Sequence, residues 1–363
     1  MYNGPLIDCD VHQEWASQDD LLPYLSEGWR EYVLGPGKAG PISMDGASGY
    51  SNPHGFDRED AFPDNPDWPA GCDPQMFKDQ LLDKHNISNA VLTFGDVMMV
   101  SEFRNPYFAA ETARAATEWM IDYWLAADER FYGSILASNH LPDVAAEHIR
   151  KHADNPRICQ VMMSGNGIGI PMGHPLYHPI YEAASETGTP VAIHAGTVNP
   201  VAAAGGTPSF YIEYHTLGIQ PMMGNLISLI AEGVFEKYPD LQVILVEGGV
   251  AWIPPIMWRF DTDYKGLRRE VPWVEKLPSE YFPKNIKVTT QPFETANKPE
   301  AMVSFLESLG AEDWLLFATD YPHWDSDDPT YVRDLIPESW HQKVFHDNAM
   351  ATYGWSEKPV AAH

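Results

Sequence analysis

The sequence predicts an α/β fold, a single (β/α)8 TIM barrel over residues 1–363 with a long inserted region after the first strand, and three observations predict it. Eight short apolar runs recur along the chain, each followed by helix-forming sequence. Near-continuous Val/Ile/Leu runs of this kind are how parallel strands buried on both faces read. A length of 363 residues suits one large barrel with insertions. Several runs also end in Asp, His or Glu, and the C-terminal strand ends are where such a barrel gathers its functional groups. A doubly wound open sheet is the competing architecture, but no Gly-x-Gly-x-x-Gly follows the first run, so a dinucleotide fold lacks its main signal.

The first run is Leu6-Ile7-Asp8-Cys9-Asp10-Val11-His12. Residues 35–71 follow, rich in Gly, Pro, Asn and Asp, and a loop this long in a compact domain reads as a functional lid over the mouth of the site. Asp73-Pro74 then caps a helix to about residue 86, with Pro at the first helical position. The next runs are Ala90 to Phe94, Phe131 to Leu136, Ile158 to Met163 and Pro190 to His194. The helices between them cover about 106–128, 142–152 and 174–187, the last stopping at Gly188. A small-residue loop at 198–208 precedes a helix over about 213–236. The remaining runs, Leu241 to Glu247, Ile286 to Thr290 and Trp314 to Asp320, alternate with helices at about 251–263, 299–308, 329–335 and 338–353.

Composition excludes several classes of function. Hydrophobic residues make up 44% of the chain, enough for a sizeable core, yet no window holds the roughly 18 uninterrupted apolar residues of a membrane span. The N-terminus shows no basic-apolar-small signal pattern, so a cytoplasmic location is expected. Cys9, Cys72 and Cys159 are odd in number and widely spaced, which argues against a disulfide framework and against a cysteine zinc site. The formal charge of −28 repels phosphate backbones and anionic lipid, so neither nucleic acid nor a membrane surface is an expected partner. The expected partner is a small-molecule substrate.

Chemistry gathers at the ends of the runs. Asp10 and His12 stand two apart on a strand and so share a face, about 6–7 Å apart along it, close enough to converge on one cation. Glu14 extends the row if the strand runs on. His194, Glu247 and Asp320 end the fifth, sixth and eighth runs. Two imidazoles with carboxylates beside them are nitrogen and oxygen ligands that suit zinc, manganese or iron. Each has a bland alternative: His194 as a satisfied core histidine, Asp320 as a helix cap, Asp10 and His12 as a solvated strand end. Their joint placement favours the metal.

Together these segments resemble the amidohydrolase superfamily, in the amidohydrolase-related branch that includes aminocarboxymuconate-semialdehyde decarboxylase, γ-resorcylate decarboxylase and related C–C hydrolases. The matching residues are Asp8-Cys9-Asp10-Val11-His12, Ile193-His194-Ala195-Gly196, Glu247-Gly248-Gly249, Thr319-Asp320-Tyr321-Pro322-His323 and the closing Asn348-Ala349-Met350-Ala351-Thr352-Tyr353-Gly354. The resemblance implies one divalent transition metal, zinc ahead of manganese and iron, held by Asp10, His12, His194 and Asp320. It also implies a homo-oligomer, a dimer. Two positions depart from the family: Asp10 stands where His or Glu is frequent, and Glu247 stands where a catalytic His is usual. A carboxylate beside a dication should be ionised and act as ligand or base next to metal-bound water. The expected reaction is therefore hydrolysis of a small organic substrate, carboxylated or aromatic, with Glu247 and Asp320 handling the proton. The alternative is non-oxidative decarboxylation of a small aromatic or unsaturated acid, with His215 or His323 supplying the proton. His54, His174 and His178 read as structural or solvent-facing, Trp252, Trp258 and Trp324 as packing or a substrate platform, and Arg259 as partnered by Asp261 or Asp263.

Overall fold

The computed structural model describes residues 2–35, 52–165, 168–196 and 206–356. Eight parallel strands, β1 (Leu6–Val11), β2 (Ile87–Leu92), β3 (Phe131–Ala137), β4 (Ile158–Ser164), β5 (Val191–His194), β6 (Val243–Val246), β7 (Ile286–Thr289) and β8 (Leu315–Leu316), pair in sequence order. The ring is completed between the last strand and the first: Cys9 N donates to Phe317 O (2.9 Å), Asp320 N to Asp10 O (3.1 Å) and His12 N to Tyr321 O (2.8 Å). The (β/α)8 barrel read from the alternation is the observed architecture.

Helices Pro106–Ala127, Pro142–His152 and Pro329–Leu335 match expectation closely, each with proline in its first turn. Asn105 caps the first of these by accepting from Tyr107 N and Phe108 N. Helix His178–Thr187 ends at Gly188, whose φ of 68° is a left-handed stop. Other boundaries differ. The single helix expected over 213–236 is three pieces, Tyr211–Leu217, Ile219–Ala231 and Val234–Lys237, broken at Gly218 and at Gly233, where φ is 71°. The helix opened by Asp73 is α-helical only over Pro74–Phe77 and then widens, Asp83 N donating to Lys78 O five residues back. Only Leu315–Leu316 of the eighth run pairs with β7, because beyond Phe317 the backbone turns its hydrogen bonds toward β1.

The C-terminal segment plugs the N-terminal end of the barrel. Ile7 and Cys9 of β1 cluster with Ala192 of β5, Ile244 and Val246 of β6, Leu316 of β8 and Ala349. Strands on opposite sides of a ring meet only inside it, so these side chains line the interior. Tyr353 and Trp355 pack against that cluster and against Val91, Tyr132 and Cys159. The Tyr353 hydroxyl donates to Gln160 Oε1 (3.1 Å). With that end filled by apolar side chains, the opposite mouth is left to polar groups.

Part of the inserted region, residues 36–51, lies outside the described residues, as does most of the loop at 198–208. The described remainder of the insertion runs beside the loop after β8. Arg58 N donates to Pro322 O (2.9 Å), Trp324 N donates to Phe56 O (2.9 Å), and Asp57 forms an antiparallel bridge with His323.

Candidate metal centre at the barrel mouth

A bulge in β1 sets up the site. Pairing with β2 runs Asp8 to Ala90 and then Val11 to Leu92, three residues advanced on one strand against two on the other. One extra residue reverses the alternation of faces. Ile7 and Cys9 can thus line the plugged interior while Asp10 and His12 both turn inward at the mouth.

The two ligand-type histidines are oriented by backbone carbonyls. His12 Nδ1 donates to Phe94 O, and His194 Nδ1 donates to Ala195 O. A carbonyl only accepts, so each Nδ1 carries a hydrogen and each Nε2 is the atom turned toward the centre, the one that would bind a metal. Those Nε2 atoms face carboxylates: His12 Nε2 lies 3.4 Å from Asp10 Oδ1 and 2.9 Å from Asp320 Oδ1, and His194 Nε2 lies 3.5 Å from Asp10 Oδ2 and 3.4 Å from Glu247 Oε2. Asp10, His12, His194 and Asp320 are all buried. Yet His12 Nε2, His194 Nε2, Asp10 Oδ2 and Asp320 Oδ2 have no hydrogen-bond partner. Four buried nitrogen and oxygen atoms left without partners around His12 are costly unless a cation joins them, and their chemistry fits a divalent metal.

The strands are held in strained form to do this. Glu247 and Asp320 have φ of 54° and 64°, left-handed values that non-glycine residues rarely adopt. Thr289 Oγ1 accepts from Glu247 N (3.0 Å). Thr93 Oγ1 donates to Asp10 Oδ1 (2.5 Å). Asp8 clasps β1 to the segment after β8, accepting from Thr319 N at Oδ1 (3.0 Å) and Thr319 Oγ1 at Oδ2 (2.6 Å). Removing that carboxylate leaves a buried N–H and hydroxyl unpaired. We expect Asp8→Ala to lower stability by about 2–3 kcal/mol and manganese affinity by about 10-fold or more, read by urea denaturation and by metal titration.

Charge follows from this crowding. Burial opposes ionisation of Asp10, but His12 and His194 outweigh it and hold the carboxyl far below its usual range. Burial opposes protonation of His12 and His194, but Asp10 beside both raises them, His12 far above an ordinary imidazole. Without a cation the carboxylates draw protons onto the rings, and a dication would replace those protons. His323 is raised as well, burial opposing and Asp320 winning through a 2.7 Å bond from Nδ1 to Oδ1. Glu247 is pushed well above its ordinary value, first by burial and then by the charge of Asp320. The expectation of an ionised Glu247 concerns the metal-loaded site, where the charge of a dication would act against burial and Asp320.

Two sets of ligand-type atoms share His12: Asp10, His12 and His194 lie within 4.8 Å of one another, and so do His12, Glu247, Asp320 and His323. His215 stands apart from this group. Its Nε2 lies 3.3 Å from Asp325 Oδ2, its side chain is 40% exposed, and its ring neighbours Tyr211 and Trp324. Trp324 is stacked on His54, rings 5.2 Å apart and 7° from parallel, so His54 belongs to the rim of the mouth. Trp252 is packing, with Nε1 bonded to Gly248 O (2.7 Å). Arg259 pairs with Asp263 (3.6 Å), and Trp258 lies beside Phe305. His174 caps a turn at Leu176 N, and His178 meets Lys237. Two residues the sequence reading missed are Asp8 and Asp57. Asp8 was visible as the polar residue two before Asp10, whereas nothing in the sequence marks Asp57.

Glu14 does not join the row, because β1 ends at Val11 and its carboxylate instead accepts from Trp15 N and Asp96 N (both 3.0 Å). Burial and the charge of Asp96 push it up to about 8. The native state then holds a proton that the unfolded chain releases above an ordinary value of about 4, so stability falls as pH rises across that window. We expect Glu14→Gln to flatten this decline, with urea midpoints at about pH 5 and pH 8 drawing together.

A family model described as amidohydrolase matches residues 7–355. The chain belongs to the amidohydrolase family. A γ-resorcylate decarboxylase of Polaromonas sp. (strain JS666 / ATCC BAA-500) is 24% identical to this amidohydrolase over 305 residues, 78% of this chain and 89% of that one. Among solved structures, 5-carboxyvanillate decarboxylase of Novosphingobium aromaticivorans, complexed with manganese and 4-hydroxy-3-methoxy-5-nitrobenzoic acid, is similar with a TM-score of 0.67 and 19% identity over 96% of each chain. A dihydroxybenzoic acid decarboxylase of Polaromonas sp. JS666, with bound manganese and 2-nitroresorcinol, has a TM-score of 0.66 and 18% identity over 97% of each. Among the described residues no helix is long and apolar enough to cross a membrane.

Proposed function

We propose that this amidohydrolase is a divalent-metal-dependent, non-oxidative decarboxylase of a small aromatic acid, with manganese the first metal to supply. The observation that carries the reading is the likeness, over most of the chain, to decarboxylases. Glu247 and His323 adjoin Asp320 and are groups that can bring a proton to the mouth. Decarboxylation breaks a C–C bond, leaves the electron pair on carbon and requires a proton there, so protonated groups at the mouth suit it. The relatives and structural neighbours named above are decarboxylases, which supports the same choice over the hydrolytic expectation.

In this reading Asp10, His12, His194 and Asp320 hold the metal, which when bound supplies Lewis acidity toward a substrate oxygen. Glu247 gives its proton to the carbon that loses carbon dioxide. His323, bonded through Nδ1 to Asp320, offers its other ring nitrogen as a donor to the substrate carboxylate or phenol. Its side chain and that of Glu247 are each 23% exposed, so both can reach a ligand at the mouth. Trp324, His54 and Tyr211 form an aromatic rim at which a substrate ring can stack. The test is a panel of hydroxylated benzoic acids with manganese in deuterium oxide, following carbon dioxide release and ring deuteration. Release with one deuterium at the vacated carbon is expected. Turnover of lactones or amides with none of the acids would restore the hydrolytic reading.

A further inference from the structure

Away from the mouth, helices Pro106–Ala127 and Pro142–His152 bring a second group of ligand-type side chains together in the outer layer. His148 and His152 lie four residues apart and so occupy one face of their helix. Their rings meet edge to face with centroids 4.7 Å apart. Glu118 comes from the neighbouring helix, its Oε1 3.9 Å from His152 Nε2. One ligand atom from each of the three lies within 4.8 Å of the others. Both histidine Nε2 atoms are buried and have no hydrogen-bond partner. Helix packing alone gives no reason for two facing, unpartnered ring nitrogens beside a carboxylate.

We propose that Glu118, His148 and His152 form a second transition-metal site, selective for zinc or a chemically similar dication and sharing no residue with the barrel mouth. Two imidazoles one helical turn apart with a carboxylate from a second element is a three-ligand set that leaves a position for water. Burial, then the charge of His152, pushes His148 down to about 3, and burial also lowers His152, so both rings are neutral and keep a lone pair. A cavity of about 380 Å³ lies against one member of the group, His148, which lines it with Trp29, Arg114, Ser138 and Lys151 among others. The competitors are also in view. Arg114 holds Glu118 Oε2 at 2.6 Å and Lys151 holds Oε1 at 2.7 Å. Arg114 also binds Glu111 and stays anchored, whereas Lys151 is 58% exposed and can swing into solvent, freeing the oxygen that faces His152.

The test is zinc titration of the full-length, chelator-stripped protein, counting equivalents in the wild type and in H148Q/H152Q. The variant is expected to bind one equivalent fewer, whatever the mouth binds, and to keep its manganese-supported turnover. Lys151→Met removes only the competing ammonium from an exposed position and is expected to tighten this zinc equivalent several-fold, which keeps the proposal testable if the double variant misfolds. Equal equivalents in wild type and folded H148Q/H152Q, or no tightening in K151M, would overturn the site.

Discussion

Glu247→Gln is expected to lower decarboxylation by about 10²- to 10⁴-fold, the range of a lost general acid, while metal content stays at the wild-type level. Glutamine keeps the size of the side chain but cannot give a proton to carbon. Glu247 Oε2 already lies 3.4 Å from His194 Nε2 and the backbone is held by Thr289, so the geometry should survive the change. Glu247→His restores the imidazole usual at this position in the resembled family, and we expect it to retain more activity than glutamine. Rates of carbon dioxide release against total metal separate the outcomes. A glutamine variant with unaltered turnover removes Glu247 from the proton transfer, and one that loses its metal makes it a ligand.

The second large effect is expected at His194. Its ring is fixed by Ala195 O, its Nε2 points at Asp10 and Glu247, and in the proposed centre it would supply one of the two nitrogen donors. We expect His194→Ala to weaken manganese binding by at least about 100-fold, since disturbing even a supporting contact costs 10- to 100-fold, and to leave turnover near background at limiting metal. Excess manganese should recover part of the rate, because Asp10, His12 and Asp320 remain. Titration of turnover against manganese reads both effects. An unchanged metal requirement would place His194 outside the centre.

Much of this arrangement was legible in the sequence because it rests on local rules. Periodicity marked the strands, proline and Asn or Asp marked helix starts, and ligand-type residues at the ends of β1, β5, β6 and β8 marked the mouth. What was not legible depends on neighbours distant in sequence. The bulge that brings Asp10 and His12 inward is a property of the β1–β2 pairing, not of β1 alone. The left-handed backbone at Glu247 and Asp320, just past β6 and β8, is not marked by any local preference of those residues. The nearness of Asp320 to Glu247 is likewise set by the fold and not by either strand alone. Asp57 reaches His323 only because the insertion folds over the loop after β8. The pairing of His215 with Asp325, 110 residues away, is likewise one that no local pattern could have announced.

The central claim is that Asp10, His12, His194 and Asp320 hold one divalent metal at the barrel mouth, and metal content tests it most directly. Plasma mass spectrometry would be applied to protein purified without chelator and supplied with manganese, alongside Asp10→Ala/His12→Ala, with H148Q/H152Q present in both so that the outer helical group does not contribute. About one equivalent with the mouth intact, absent from the variant lacking Asp10 and His12, is the result expected. A mouth-intact protein that holds no metal and takes up none of manganese, zinc or iron would contradict the account, since the four buried atoms would then need a different partner.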